Sequence, residues 1–566
     1  NTRANKKIKV DLTDDELFDK IFKYAKQNYE AHFAEGYWID HWTYILDLVE
    51  NYQSVYPDKM HSKLYDEKDY SYFNGPVTVL PRDEKICITG SGEVRRFGSL
   101  LHDDHEKVNK LNMNPYSADW FKNEQGEVVK ANLFGKLFVL ATNKLACLDP
   151  SGMGIEMEAD KPGWNDAMNG LPGLFGSGVR ETIEIDRVLS YLITNADNNQ
   201  ELSLPVEFIE FAKKLKVLTD EDLSEYDFWD AINDVKEKYR NDIRFYTKGT
   251  ALISLVEVKE LLVSYKAKIE GALEKAYTLG DGIYPTYLIN KVTKHEPILI
   301  NGEAKIGNYG MPVTKPLEFE VRALPYYLEA PARALKVMKD VDAKKDMFTR
   351  IKASNIYDHE LKFYKTSEFL DAESNEIGRG RSFTKGWQER ESNFLHMSYK
   401  YLLGLLKAGL YEEYFGEIDT NLVCFMDPKV YGRSTLENSS FIATSINPDP
   451  FVRGQGYVAR LSGSTAEMLS LWTYMMFGKK VFQFDGELKL NLKPILSKEF
   501  FKNGEVSFTL FGTTRVTYIN KNNIDTYDKS FSIQKYEVDG VVVKEVTGLL
   551  AEQVRDKKVK QIKVYF

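Results

Sequence analysis

Lys161-Pro-Gly-Trp-Asn-Asp-Ala-Met-Asn-Gly-Leu-Pro-Gly-Leu-Phe-Gly-Ser-Gly178 interrupts a chain that reads as helix on either side. Its five glycines and two prolines permit tight turns and forbid a continuous helix. The loop they build carries Trp164, Asn165 and Asp166. A Trp beside a carboxylate suits a sugar, with an apolar plate for the ring face and a carboxyl for a hydroxyl or a glycosidic oxygen. The competing reading is a Gly-rich connection between helices, with a buried Trp and a capping Asp. Loops carry function more often than cores do.

Outward from this loop, residues 1–480 read as mainly α. Thr13-Asp-Asp-Glu16 is a capping box, followed at helical spacing by Leu17, Phe18, Ile21, Phe22 and Ala25. A second helix is expected from Tyr37 to Tyr52, with Trp42, Ile45, Leu46 and Val49 as its apolar stripe. Further amphipathic stretches lie near 131–147, 180–195, 205–217, 251–278, 326–340, 389–408 and 464–477. Between them, 56–130 and 279–325 read as long loops, which in a compact domain are usually functional. After Gly478 the period becomes two: Val481 to Leu492 alternates around Asp485-Gly486, and 506–511, 515–519, 530–547 and 559–566 continue it. The expected architecture is an (α/α)6 barrel over residues 1–480 and a small antiparallel β-sandwich over 481–566.

At 566 residues the chain exceeds the ~250–300 that one simple core serves. A net charge of −9 argues against a nucleic-acid-binding protein, which would show a basic face. No apolar run approaches the ~20 residues needed to span a bilayer. Cys87, Cys147 and Cys424 are far apart and show no metal-ligand spacing, as free thiols of a reducing cytoplasm would. The chain begins at Asn1 with no visible signal peptide, so a trimmed chain or a piece of a longer protein is expected.

Four other constellations carry candidate chemistry. Asp40 and Asp47 share one helical face with Tyr44 between them, opposite Trp42 and Leu46. On an isolated helix that face would be solvated. In an α/α barrel it would line the central cleft, where Asp40, His41, Tyr44 and Asp47 could grip sugar hydroxyls. Glu389, Asn393 and His396 are likewise expected on one helical face, and Ser462-Gly-Ser-Thr465 opens a helical pattern. Hydroxyls and free N–H groups at a helix start make an anion pocket, the alternative being that Ser464 or Thr465 is only a cap. Glu437-Asn-Ser-Ser440 is a turn or a sugar-binding edge, and Arg95-Arg96 an anion contact or a solvated pair.

Together these motifs resemble glycoside hydrolase family 94, the inverting disaccharide and oligosaccharide phosphorylases, and most of all its branch acting on β-1,2-linked oligoglucans. Gly163-Trp-Asn-Asp166 is similar to the family's Asp-Trp-Asn-Asp segment, with Gly for the first Asp, and puts Asp166 on the general acid. Glu389 and His396 match, at the family's offset, a Glu lining the acceptor side and a phosphate-contacting His. Ser462-Gly463 matches a Thr-Gly pair that contacts phosphate, with Ser464 beside it. Glu437 begins a segment similar to the family's Glu-Pro-Tyr-Val, and Asp40 and Asp47 lie where an Arg/Asp pair holds the donor glucose. Tyr37-Trp-Ile-Asp-His-Trp-Thr-Tyr, Asn438-Ser-Ser-Phe and Arg460 to Glu467 look specific to the oligoglucan branch.

The resemblance spans roughly residues 10–480. It implies reversible phosphorolysis of β-1,2-glucooligosaccharides to α-glucose 1-phosphate, with inorganic phosphate as co-substrate and neither metal nor organic cofactor. Asp166 would be the acid, its pKa raised by a dry pocket around Trp164. Trp164, Asn165, Asp40, His41, Asp47, Glu389 and Glu437 would bind sugar, and His396, Ser462, Gly463 and Ser464 phosphate. Family members also carry an N-terminal β-sandwich. Its absence from this sequence leads one to expect a fragment, a homodimer, or a partner chain that supplies it.

Overall fold

A computed structural model of the chain describes residues 11–25, 39–102, 104–114, 119–158, 163–458 and 462–566. Helices dominate as far as Phe477, with several small sheets between them, and strands dominate beyond. The Thr13 capping box closes: the Glu16 amide donates to the Thr13 hydroxyl (3.3 Å), and the Thr13 amide to the Glu16 carboxylate (2.9 Å). Helices at Ile39–Val55, Leu133–Leu145, Val179–Asn195, Val206–Asp220, Leu255–Leu279, Glu329–Val337, Leu395–Ala408 and Ser462–Phe477 fall on the stretches read as amphipathic. Glu225–Asp242, Val341–Ala353 and Tyr411–Asn421 are further helices whose charged residues interrupt the apolar stripe.

The stretch 279–325 is not the loop its composition suggests. Tyr287–Pro297 and Thr314–Ala323 pair antiparallel, Leu288 opposite Ala323, and continue through Gly176–Gly178 to Ile155–Glu156 as one four-stranded sheet. In Thr314–Ala323 the apolar Leu317, Phe319 and Val321 alternate with Glu318, Glu320 and Arg322, a two-residue period crowded by neighbouring turn formers. The 56–130 stretch likewise holds short helices and strands of two or three residues.

Val179–Asn195, Glu329–Val337, Leu395–Ala408 and Ser462–Phe477 pack side by side in that order. Ile39–Val55 is tied to all four. Thr43 accepts from Arg333, the Tyr44 hydroxyl reaches His396 and Glu467, and Asp47 pairs with Arg187. Behind this layer, Leu133–Leu145 and Leu255–Leu279 pack on Val179–Asn195, and Val206–Asp220 lies between Leu255–Leu279 and Glu225–Asp242.

The C-terminal part contains the expected hairpin at Asp485-Gly486, but its main sheet is mixed rather than antiparallel. Thr514–Ile519 pairs in parallel with Gln561–Tyr565, because the connection between them includes the helix Gly548–Arg555, which returns the chain in the same direction. The order is Glu505–Leu510, Thr514–Ile519, Gln561–Tyr565, Lys535–Val538, Val541–Val543. Asp539 and Gly540 make the tight turn read from the sequence, with φ of 46° and 87°.

Candidate active site

The Gly-rich loop is pinned by two short 3₁₀ turns, Asp166–Met168 and Leu171–Leu174, and ends in the strand Gly176–Gly178, which runs directly into the helix Val179–Asn195. Asn165 is fully buried. Its Oδ1 accepts from the Ala167 amide and its Nδ2 donates to the Tyr287 hydroxyl, both at 3.2 Å. These two bonds hold the loop in place. Gly163 has φ of 91°, and a Cβ there would lie 2.3 Å from Arg180 Nη2, so only glycine fits where the resembling family carries Asp. The Trp164 indole donates to Glu329 (2.8 Å), and its ring lies 5.5 Å from Phe394 and edge-on 6.1 Å from His396.

Asp166 stands at the rim, 62% exposed, in an ion pair with Arg379 at 2.9 Å. The dry pocket expected around this carboxyl is therefore not where it sits. Desolvation falls instead on half-buried Glu389. Burial pushes its carboxyl above the usual range and the charge of Asp166 adds to that, while its own backbone amide and Arg379 oppose it. Glu389 does not share a helical face with Asn393 and His396. Gln388 and Glu391 take left-handed φ of 51° and 57°, which breaks the helix, and it starts only at Leu395. Asn393 is buried in a short strand and accepts from Ser398 Oγ (2.6 Å).

His396 occupies the first turn of Leu395–Ala408 and meets the first turn of Ser462–Phe477. A Cβ on Gly463 would lie 2.8 Å from His396 Cγ, so the two helix starts touch at that glycine. Ser464, the next residue, is inside the helix rather than capping it. It is 2% exposed, and its hydroxyl has no hydrogen-bond partner. Two helix starts thus meet at the His396 imidazole, with the Glu467 carboxylate 3.8 Å from its Nε2. Ser462 opens the second helix, and Asp40 lies in the first turn of Ile39–Val55; both side chains fall outside the described residues.

Asp47 faces cations, Arg187 and Lys407. Burial alone would raise its carboxyl, but the positive charges of Arg187, Lys407 and Lys336 override this and hold it well below the usual range. Arg187 also pairs with Glu50 (2.7 Å), and Arg333 with Glu184 (2.8 Å) and Glu329 (2.7 Å). His41 is exposed. Glu437 is exposed and paired with Arg433 (3.3 Å), in the loop before Phe441–Ile442, the strand beside Asn393–Phe394. Arg95 and Arg96 are spent on Glu376 and Glu156.

Sequence reasoning missed Arg180, Glu329, Arg333 and Arg379. Three of these had a signal: Arg180, Glu184 and Arg187, like Glu329 and Arg333, recur at helical spacing as charges that no solvated face requires. A cavity of about 670 Å³ lies apart from the site, lined among others by Tyr72, Phe121, Phe208, Tyr239 and Lys107. None of the residues expected to bind sugar or phosphate lines it. Among the described residues no helix is long and apolar enough to cross a membrane.

No family model matches the sequence, and no curated protein does. Among solved structures the chain is similar to the GH63 mannosylglycerate hydrolase from Thermus thermophilus, solved in complex with glucose. The two are 9% identical over 61% of this chain and 93% of that one, with a TM-score of 0.23. A likeness of that size carries no argument about chemistry.

Proposed function

We propose that this chain is an inverting glycoside phosphorylase that cleaves β-1,2-linked glucooligosaccharides with inorganic phosphate. The observation that supports it is the junction of Trp164, His396 and Gly463, which joins a sugar plate to an imidazole where two helix starts meet. In this reading the helical part is an (α/α)6 barrel, with the site at the mouth of its cleft. Phosphate held by His396, Gly463 and Ser464 attacks the anomeric carbon from the face opposite the leaving sugar. The new C1–O bond to phosphate forms as the glycosidic C1–O bond breaks, with inversion. Asp166 gives its proton to the leaving oxygen and regains one from the phosphate. The products are α-glucose 1-phosphate and a shortened oligosaccharide. Because phosphate is itself the nucleophile, one carboxyl suffices, and Glu389 and Glu437 are left to contact hydroxyls.

A second reading rests on Glu389, whose desolvated carboxyl lies within reach of the charge of Asp166. An inverting hydrolase uses two carboxyls, one of them to activate water. One assay separates the two: β-1,2-glucooligosaccharide incubated with and without phosphate. The phosphorylase makes glucose 1-phosphate, and only with phosphate. Sugar release without phosphate overturns it in favour of the hydrolase. Asp166→Asn should cost about 10²–10⁴-fold in turnover with folding intact. Glycan binding with no turnover of either kind would reduce the chain to a binding subunit.

A further inference from the structure

The cavity of about 670 Å³ is walled by parts of 72–81, by the helix Leu133–Leu145 and by the end of Glu225–Asp242. Its volume is that of a small-molecule site. Tyr72, Val79, Val139 and Ile243 line it as half-buried apolar side chains. Of the charged groups in its walls, three are already paired. Glu237 holds Arg82 (3.1 Å), Arg240 holds Glu158 (2.9 Å) and Arg244 holds Asp104 (2.6 Å). Lys107 is the exception. It is 6% exposed, and its ammonium donates to the carbonyl of Val77, another wall residue, at 3.4 Å. Among the described residues it makes no ion pair. Asp104, the acid whose charge acts on it, already accepts from Arg244, the Thr78 hydroxyl and the Lys107 amide. Burial pushes the ammonium down to about 8, opposed by Asp104 and assisted by Arg244. A buried charge is costly until it is paired.

We propose that this cavity binds a carboxylic acid with an apolar body, the carboxylate on Lys107 and the body against Tyr72, Val79, Val139 and Ile243. It is a second site, sharing no residue with the one around Asp166. A carboxylate gives the ammonium the partner that the fold withholds, through a charge-assisted hydrogen bond. Apolar walls favour a body that brings no polar groups of its own. A sugar would strand its hydroxyls there, since Glu237, Arg240 and Arg244 are already bonded. A dianion such as a phosphate ester would bring two charges to one uncompensated cation. An amine would meet like charge at Lys107.

Calorimetry on the full chain with octanoate, 1-octanol, octylamine and acetate tests this. Octanoate is expected to bind about ten- to a hundredfold tighter than 1-octanol, as one hydrogen bond to a charged group allows. Acetate has the charge without the body and octylamine the body with the wrong charge, so neither should bind. Lys107→Met keeps the stem and removes the ammonium. It should bring octanoate down to the affinity of 1-octanol and leave 1-octanol unchanged, which the loss of a merely structural lysine would not do. Thermal unfolding, measured alongside, should not fall, because no ion pair is lost. The preference for acid over alcohol in the parent needs no variant. Val139→Phe, which fills the cavity from another wall, should weaken both ligands alike. Octanoate unbound by the parent, held no tighter than 1-octanol, or held by Lys107→Met as tightly as by the parent overturns the proposal.

Discussion

Gly463 serves the site by having no side chain. Any Cβ there enters the His396 ring, so Gly463→Ala must displace the imidazole or part the two helix starts. Phosphate or sulfate affinity should fall at least about tenfold, ~1.4 kcal/mol, while thermal stability, measured alongside, moves little. An equal loss of both would make the glycine a packing residue only. Gly163 differs, because its left-handed φ and its contact with Arg180 would both resist a side chain. Gly163→Ala should cost about 1–3 kcal/mol in denaturant unfolding. Glu389 carries a pH signature of opposite sign to an ordinary paired carboxylate. Its carboxyl is raised in the folded state, so above the unfolded value of 4.5 the native chain holds the proton more tightly than the unfolded one. The penalty for ionising it in place grows as pH rises from there to the folded value. Glu389→Gln should therefore be more stable than the parent at neutral pH, with the difference vanishing in acid. A constant difference across pH would assign Glu389 no desolvation cost.

At the scale of the element, Ile39–Val55 works as a clamp, and its locks titrate. Burial raises and Arg333, then Arg187, lower the Glu184 carboxyl, to a net value of about 2; Asp47 is held below the usual range in the same way. Both are depressed in the fold, so their stability is fully present above the ordinary carboxylate range and is lost as pH falls through the folded values. Asp47→Asn should flatten acid unfolding monitored by circular dichroism below about pH 4. An unchanged acid limb would show the Arg187 pair to be idle. This clamp also marks what the sequence could reveal. The apolar stripe of Trp42, Leu46 and Val49 announced the helix, and the glycines announced the loop at Asp166, because burial and backbone freedom are written locally. The partner of Asp47 was not, since Arg187 is 140 residues away in sequence and only packing brings it near. His396, Gly463 and Ser464 were legible as types but not as neighbours. The break at Gln388 and Glu391 was invisible, because left-handed φ at residues other than glycine leaves no compositional trace.

Across the whole molecule one hydrophobic core runs without interruption from Trp42 to Phe566, so the C-terminal sheet is not an independent cap. Trp472, on the helix Ser462–Phe477, packs edge-on against Phe508 of the sheet at 5.8 Å. Tyr518 donates to the Met476 carbonyl (2.6 Å), Phe415 stacks on Tyr527 (5.3 Å), and Arg555 pairs with Asp58 (2.5 Å). The helix carrying Gly463 and Ser464 therefore takes one side of its support from the sheet. Thermal unfolding should be a single transition, coincident for far-ultraviolet dichroism and Trp fluorescence. Phe508→Ala should lower the whole transition together, by about 3–5 kcal/mol, and not detach the sheet first. Removing residues 481–566 should expose Trp472, Met475 and Met476 and abolish sulfate binding at the distant helix start along with native dichroism. Two separated transitions, or a truncated chain that keeps its helical signal and its anion site, would show the sheet to be an appendage and the helical part self-sufficient.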